Sequence, residues 1–268
     1  MTQKNNMLVF AAITPHPPLL IPTIGQEALK KVAKTKKAME ELGENLYASR
    51  PDAIFIISPH GSFFSDAFTI NACPEYETDL REFGDLSTRL KFKGDLELAF
   101  RVRDATKREN MPAAMTSQPT LDHGSAVPLF YLTQHLPDVG LLQLGFCGLS
   151  WKKHLEFGEL LKEQINKTNR RVAVIASGDL SHALTTDAPA GFNPAGAKFD
   201  KKIQDLLMSD NLTGLLQIEP ELEADAAECG LRSFLILAGV LNGVHYSYKQ
   251  HSYEAPFGVG YLTAEFVL

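Results

Sequence analysis

The sequence predicts an α/β fold, a three-layer α/β/α sandwich with a mixed central sheet. Short, nearly continuous apolar runs suit strands that are covered on both faces of a sheet. Amphipathic stretches of helical period lie between these runs, and this alternation is typical of layered α/β proteins. Because 268 residues fall within the range that such folds fill as one unit, we expect a single domain over residues 1–268.

The elements follow in order along the chain. The apolar runs predict strands over residues 7–13, 53–58, 140–144 and 172–176. The helical periods predict helices over residues 27–49, 96–109, 155–167, 194–209 and 228–241. Residues 258–267 alternate like a final strand, and an antiparallel pairing of this strand would make the sheet mixed. No internal repeat or low-complexity linker indicates a second domain.

Composition and charge favour a small-molecule partner. Hydrophobic residues make up 44% and charged residues 22% of the chain, which is typical of a globular protein and not of a disordered one. The formal net charge is −6 without a long run of one sign, so we expect neither a nucleic-acid nor a membrane partner. Three dispersed cysteines favour reduced thiols, and no export signal or membrane span is recognisable, so we expect a cytoplasmic protein.

Histidines follow three of the predicted strands. His16 comes after the first strand in ITPHPPLLIP, His60 after the second in IISPHGS, and His182 after the fourth in IASGDLSHA. Ligands of open α/β sheets bind beyond the carboxyl ends of the strands, so we expect these side chains at one edge. His123, in the turn-like segment LDHGSAVP, is a candidate fourth member. Any one of them could be an ordinary core or turn residue, but several at one edge favour a shared site.

A metal centre is the site that this pattern favours. Two histidines and one carboxylate, with open positions for oxygen and substrate, are typical of non-haem Fe(II) sites, and imidazole also suits zinc and copper. Glu228 begins a strongly apolar predicted helix, where a carboxylate needs a partner. An ordinary acid at a helix N-terminus is the alternative reading of Glu228. The adjacent Cys229 is a softer alternative ligand.

Five motifs in order resemble the class III extradiol dioxygenase family. They are PHPPLLIP, SPHG, LDHG, ASGDLSHAL and ECGLRSFLILAGVL, and they span nearly the whole chain. The type member of this family is the catalytic beta subunit of protocatechuate 4,5-dioxygenase. The branch that the chain resembles most is the AmmeMemoRadiSam group, which is related to the Memo proteins.

The resemblance implies a non-haem metal enzyme of aromatic catabolism. Such an enzyme opens a catechol or aminophenol ring beside its hydroxyl groups with O2, using Fe(II), with zinc or copper as alternatives. The implied partners are a small aromatic substrate and O2, and the enzyme works as a homo-oligomer or with a partner subunit. Segments 71–84 and 185–194 are expected to set the choice of substrate.

The resemblance also assigns roles to single residues. The metal ligands fall on His16, His60 and Glu228. His182 falls on the acid/base position and His123 on the substrate pocket, while Asp179 either orients His182 or caps a loop.

Two other functions remain open at this stage. Memo-like relatives carry a cysteine at the position of Cys229, and an inward-pointing Cys229 would favour a metal-binding protein without ring-cleaving activity. A metal-dependent hydrolase is the other alternative, because histidine and carboxylate ligands also activate water.

Overall fold

The computed structural model describes residues 7–268, so residues 1–6 of the predicted domain lie outside the described residues. The strands are β1 (Leu8–Thr14), β2 (Ala53–Ser58), β3 (Phe68–Asn71), β4 (Glu75–Thr78), β5 (Lys91–Gly94), β6 (Ala113–Thr116), β7 (Thr120–Leu121), β8 (Gly140–Gly145), β9 (Val172–Ser177), β10 (Ser247–Glu254) and β11 (Tyr261–Val267). The α-helices are α1 (Pro22–Gly25), α2 (Ala33–Ser49), α3 (Leu96–Arg108), α4 (His123–Leu132), α5 (Trp151–Asn166), α6 (Pro194–Met208), α7 (Pro220–Ala226) and α8 (Leu231–Leu241).

All the strands join one mixed sheet. The main path through the sheet runs β10, β11, β1, β9, β2, β8, β5, β4 and β7, and β3 pairs with both β6 and β8. Neighbours among β1, β9, β2, β8 and β5 are parallel. The terminal strand β11 is antiparallel to both β1 and β10. The predicted α/β class and the mixed sheet with an antiparallel final strand are therefore confirmed.

Helices cover both faces of the central strands. On one face, Phe10 of β1 packs in a core cluster with Leu42 of α2 and Leu129 of α4. On the other face, Ile13 of the same strand belongs to a cluster with Leu161 of α5. Because both faces are buried, the central strands read as continuous apolar runs, and the predicted three layers are confirmed.

Several element boundaries differ from the prediction. The helix predicted over residues 27–49 is a 3₁₀ segment, Gln26–Val32, followed by α2. Helix α8 begins at Leu231 and not at Glu228. His123 does not lie in a turn but opens α4, where the Asp122 side chain accepts a hydrogen bond from the Ser125 amide. Within residues 7–268, no helix is long and apolar enough to cross a membrane.

Candidate metal centre

The carboxyl ends of three adjacent parallel strands form the floor of the site. Strand β9 lies between β1 and β2, so the segments that follow these strands meet at one edge of the sheet. His16, His60 and Asp179 each come two residues after the end of a strand. The Nε2 atoms of His16 and His60 lie 3.0 Å apart.

His16 is held by residues at the end of β9. Its side chain is buried, and its backbone N–H donates to Asp179 Oδ1 over 2.9 Å. Its Nδ1 lies 2.9 Å from Ser177 Oγ. Both contacts fix the ring of His16 with Nε2 toward His60. His60 itself is exposed at the rim of the site.

Cys229 completes a group of three ligand atoms. Its Sγ lies 3.6 Å from His16 Nε2, and the ligand atoms of His16, His60 and Cys229 all lie within 4.8 Å of one another. The Asp179 amide donates to Sγ over 3.3 Å, and the Cys229 amide donates to the Asp179 carbonyl over 3.4 Å. Two imidazole nitrogens and one sulfur therefore converge in a geometry that one metal ion can occupy.

The carboxyl group of Glu228 takes another direction. Its Oε2 accepts a hydrogen bond from the Leu231 amide over 2.5 Å, at the first turn of α8. Burial raises the pKa of Glu228 to about 8. The partner of the Glu228 carboxyl group is therefore the Leu231 amide, one of the backbone N–H groups that have no acceptor within the helix. The structure brings Cys229 to His16 and His60, and it does not bring Glu228 into this group.

The other two predicted histidines lie beside this group. The His123 ring stacks on His60, with centroids 4.2 Å apart, and meets the edge of His16 at 5.5 Å. Phe83 packs against His123 in a T-shaped contact, with ring centroids 5.1 Å apart. His182 is half-buried, and its Nδ1 has no hydrogen-bond partner among the residues that the structure describes.

Desolvation in the site lowers the pKa values of these histidines and so favours their neutral form. It lowers the pKa of His16 well below the usual value, and positive charge on His60, His123 or His182 would lower it further. Burial is also the main cause of the lowered pKa values of His60, His123 and His182. A neutral imidazole has one nitrogen lone pair available for a metal ion or a substrate proton.

The acidic groups of the site are also shifted by burial. Burial raises the pKa of the Cys229 thiol well above the usual value, and the nearby Asp179 and Glu228 raise it further. Burial raises the pKa of Asp179 to about 7, against the opposing effect of the His16 amide. A cation among these groups would be stabilised by a thiolate in place of the thiol, because metal ligation requires the deprotonated sulfur.

Asp122 connects the segments that carry His60 and His123. The sequence analysis did not identify this residue. Ser58 Oγ donates to Asp122 Oδ1 over 2.5 Å, and Gln143 Nε2 donates to Oδ2 over 2.6 Å. Since Ser58 ends β2 and Asp122 precedes α4, this carboxylate holds the segments that carry His60 and His123 together. The signal in the sequence is the N-cap pattern of an aspartate before HGS.

The sequence of the chain matches one protein family over almost its full length. Residues 10–264 match the family described as the catalytic LigB subunit of aromatic ring-opening dioxygenase. The chain belongs to this family. The resemblance drawn from the five motifs is therefore confirmed at the level of the family.

Relatives of this LigB-family chain include proteins with and without a named activity. Protein CA_C1420 of Clostridium acetobutylicum is 31% identical over 93% of the chain, which spans only 55% of that relative's length. The 2-aminophenol 1,6-dioxygenase alpha subunit of a Pseudomonas species is 26% identical over 97% of the chain and 98% of that protein. The crystal structure of uncharacterized protein JW3007 from Escherichia coli K12 has 18% identity and a TM-score of 0.68, covering 96% of this chain and 99% of that one, and it shares the fold.

Proposed function

We propose that this chain is a metal-dependent enzyme that acts on a small aromatic diol or aminophenol, with its metal held by His16, His60 and Cys229. The convergence of His16 Nε2, His60 Nε2 and Cys229 Sγ within 4.8 Å carries the proposal. Two ring nitrogens that face each other at 3.0 Å need a proton or a cation between them. The half-buried sulfur of Cys229 beside them favours a metal ion over a proton alone.

The donor set bears on which metal is bound. Fe(II), which the family resemblance implies, is typically held by two histidines and a carboxylate. A thiolate is a softer ligand, and together with imidazole it suits zinc or copper. Ring opening by O2 requires a redox-active metal and zinc has none of this chemistry. We therefore propose Fe(II) or copper for the ring-opening reaction, and zinc for the alternative without ring-cleaving activity.

The surrounding histidines have separate tasks in this proposal. When bound, the metal supplies the charge that lowers the pKa of a substrate hydroxyl and an open position beside it. His182 accepts the proton from that hydroxyl, because its ring is half-buried and the lowered pKa favours the neutral imidazole that a general base requires. His123, which is stacked on His60, contacts the aromatic ring of the substrate.

The proposed reaction is ring opening by O2 next to the hydroxyl groups. Several relatives carry names of this kind, among them the 4,5-DOPA dioxygenase extradiol of Beta vulgaris, which is 28% identical over 65% of the chain. One relative is named as an alpha subunit, so we also propose that the chain assembles with itself or with a partner subunit. Light scattering of the purified protein measures that assembly.

A second function is favoured by one observation. Cys229 occupies the position next to His16 where the ring-cleaving site would have a carboxylate. This supports a metal-binding protein without ring-cleaving activity as the alternative. The two functions share the same ligands and differ in turnover.

Metal content and oxygen consumption separate these functions. Metal-free protein is loaded separately with zinc, copper or Fe(II) under anaerobic conditions, and oxygen uptake is then followed with a panel of catechols and aminophenols. We expect one metal ion per chain and, with Fe(II) or copper, oxygen uptake with formation of a ring-opened product. One metal ion without oxygen uptake supports the alternative function. If none of the three metals binds stoichiometrically, both proposed functions are contradicted.

A further inference from the structure

A buried hydroxyl lies between His16 and the first turn of α4. Ser177, the last residue of β9, has its Oγ 2.9 Å from His16 Nδ1 and 2.5 Å from the carbonyl oxygen of Gly124. Ser177 is fully buried and His16 is 2% exposed. Both contacts therefore lie inside the protein, where each polar atom needs a partner.

Counting donors fixes the direction of both hydrogen bonds. A serine hydroxyl has a single hydrogen, and a backbone carbonyl oxygen can only accept. The Ser177 hydroxyl must therefore donate to Gly124 over the 2.5 Å contact. Its oxygen is left as an acceptor toward His16, so the hydrogen of that second bond belongs to Nδ1.

The opposite tautomer does not satisfy these groups. With its proton on Nε2, His16 would need Ser177 to donate to Nδ1, and one hydroxyl hydrogen would then have two acceptors. With the proton of His16 on Nδ1, the hydrogen in the 3.0 Å contact between the two Nε2 atoms belongs to His60.

We propose that Ser177 is a positioning residue that holds neutral His16 with its proton on Nδ1 and its lone pair on Nε2. Nε2 is the atom that faces His60 Nε2 at 3.0 Å and Cys229 Sγ at 3.6 Å. His16 is thus preset as a metal ligand before metal arrives. Partners of this kind fix the tautomer and the ring orientation of a ligating histidine.

The tautomer is a property of the metal-free protein, and only its consequence for metal affinity rests on the proposed function. Two-bond proton–nitrogen spectra of protein labelled with ¹⁵N-histidine report which ring nitrogen carries the proton. The spectra are recorded well above the ordinary histidine pKa, and His16→Gln identifies the His16 signals. We expect the proton on Nδ1. A proton on Nε2 in the wild type overturns the proposal, whether or not any variant folds.

Two serine variants test the effect on metal binding. Ser177→Ala should give a mixture of His16 tautomers and weaken zinc binding by about 10- to 100-fold. Ser181→Ala is the matched control, because Ser181 is also fully buried, donates to the Ala226 carbonyl and accepts from the Ala183 amide. We expect Ser181→Ala to keep the wild-type tautomer and zinc affinity.

The outcomes distinguish this inference from the proposed function. Wild-type tautomer and affinity in folded Ser177→Ala would overturn the inference. If the wild type keeps the proton on Nδ1 but binds no metal, the proposed function fails and the role of Ser177 in setting the tautomer stands. Circular dichroism and thermal unfolding of both variants show whether they are folded.

Discussion

Cys229 Sγ lies 3.6 Å from His16 Nε2, while the carboxyl group of the adjacent Glu228 accepts a hydrogen bond from the Leu231 amide. These two neighbours in the sequence therefore have different structural partners. Cys229 belongs to the candidate metal centre, and Glu228 belongs to the start of α8. The first prediction tests this separation.

Substitution of Cys229 should weaken metal binding, and substitution of Glu228 should not. Cys229→Ser should lower zinc affinity by more than about 100-fold, because loss of a ligand exceeds the effect of losing an indirect partner. Glu228→Gln should keep the affinity, because the Glu228 carboxyl group lies outside the ligand group and glutamine preserves the oxygen that accepts from the Leu231 amide. Competition with a chelator measures both affinities. A larger loss of zinc affinity in Glu228→Gln than in Cys229→Ser would instead support Glu228 as the metal ligand, as the family resemblance implies.

Loss of either histidine of the group should abolish stoichiometric metal retention. His16→Ala and His60→Ala each remove one of the ring nitrogens that face each other at 3.0 Å. His135→Ala serves as the control, since His135 is exposed and its ring packs on Tyr47. Metal analysis after gel filtration should show full occupancy only in the control and the wild type. Full occupancy in His16→Ala would refute the ligand set.

His182 should affect turnover and not metal content. We expect His182→Ala to keep its metal and to lose about 10²- to 10⁴-fold in kcat, as is typical for a general acid or base. The Michaelis constant should change less than kcat. Steady-state oxygen uptake with the best substrate of the panel measures both. Unchanged turnover per folded, metal-loaded molecule would assign His182 a structural role only.

Asp200 should make the stability of the protein depend on pH. Its carboxylate accepts hydrogen bonds from Tyr253 Oη and the Ser181 amide, and burial raises its pKa to about 6 from an ordinary value of 3.8. The folded state therefore holds this proton more tightly than the unfolded state. The contribution of protonated Asp200 to the free energy of unfolding is fully present below the unfolded pKa and is lost as the pH rises from about 4 to about 6. It amounts to at most about 3 kcal/mol.

The variant Asp200→Asn isolates this contribution. We expect its unfolding free energy to fall less than that of the wild type between pH ~4 and pH ~6.5, because asparagine does not titrate. Urea unfolding at both pH values measures the difference. Equal changes in the two proteins would show that Asp200 has an ordinary pKa in the folded state.

Part of the fold could be predicted because burial leaves a clear pattern in the sequence. All six residues of β2 are buried, and its predicted bounds are those of the structure. Strand β4 has only four residues with alternate ones exposed, so it has no continuous apolar run and was not predicted. Strand β5 has the same alternation, whereas β3 is fully buried but has only four residues. The pairing of such short strands depends on neighbours that are distant in the sequence.

The sequence predicts those residues of the candidate site that directly follow a strand. It does not predict residues whose role depends on a contact with a distant part of the chain. His16 and His60 each come two residues after a buried parallel strand, which places them at one sheet edge. The sequence does not determine which of two adjacent residues, Glu228 or Cys229, faces that edge. Ser177 was missed because its role arises from His16, which is 161 residues away in the chain.

X-ray absorption spectroscopy of the zinc-loaded wild-type protein tests the proposed ligand set most directly. We expect one sulfur neighbour at about 2.3 Å and two nitrogen neighbours at about 2.0 Å, from Cys229, His16 and His60. The sulfur neighbour should disappear in Cys229→Ser and remain in Glu228→Gln. A wild-type spectrum with only nitrogen and oxygen neighbours would contradict the account.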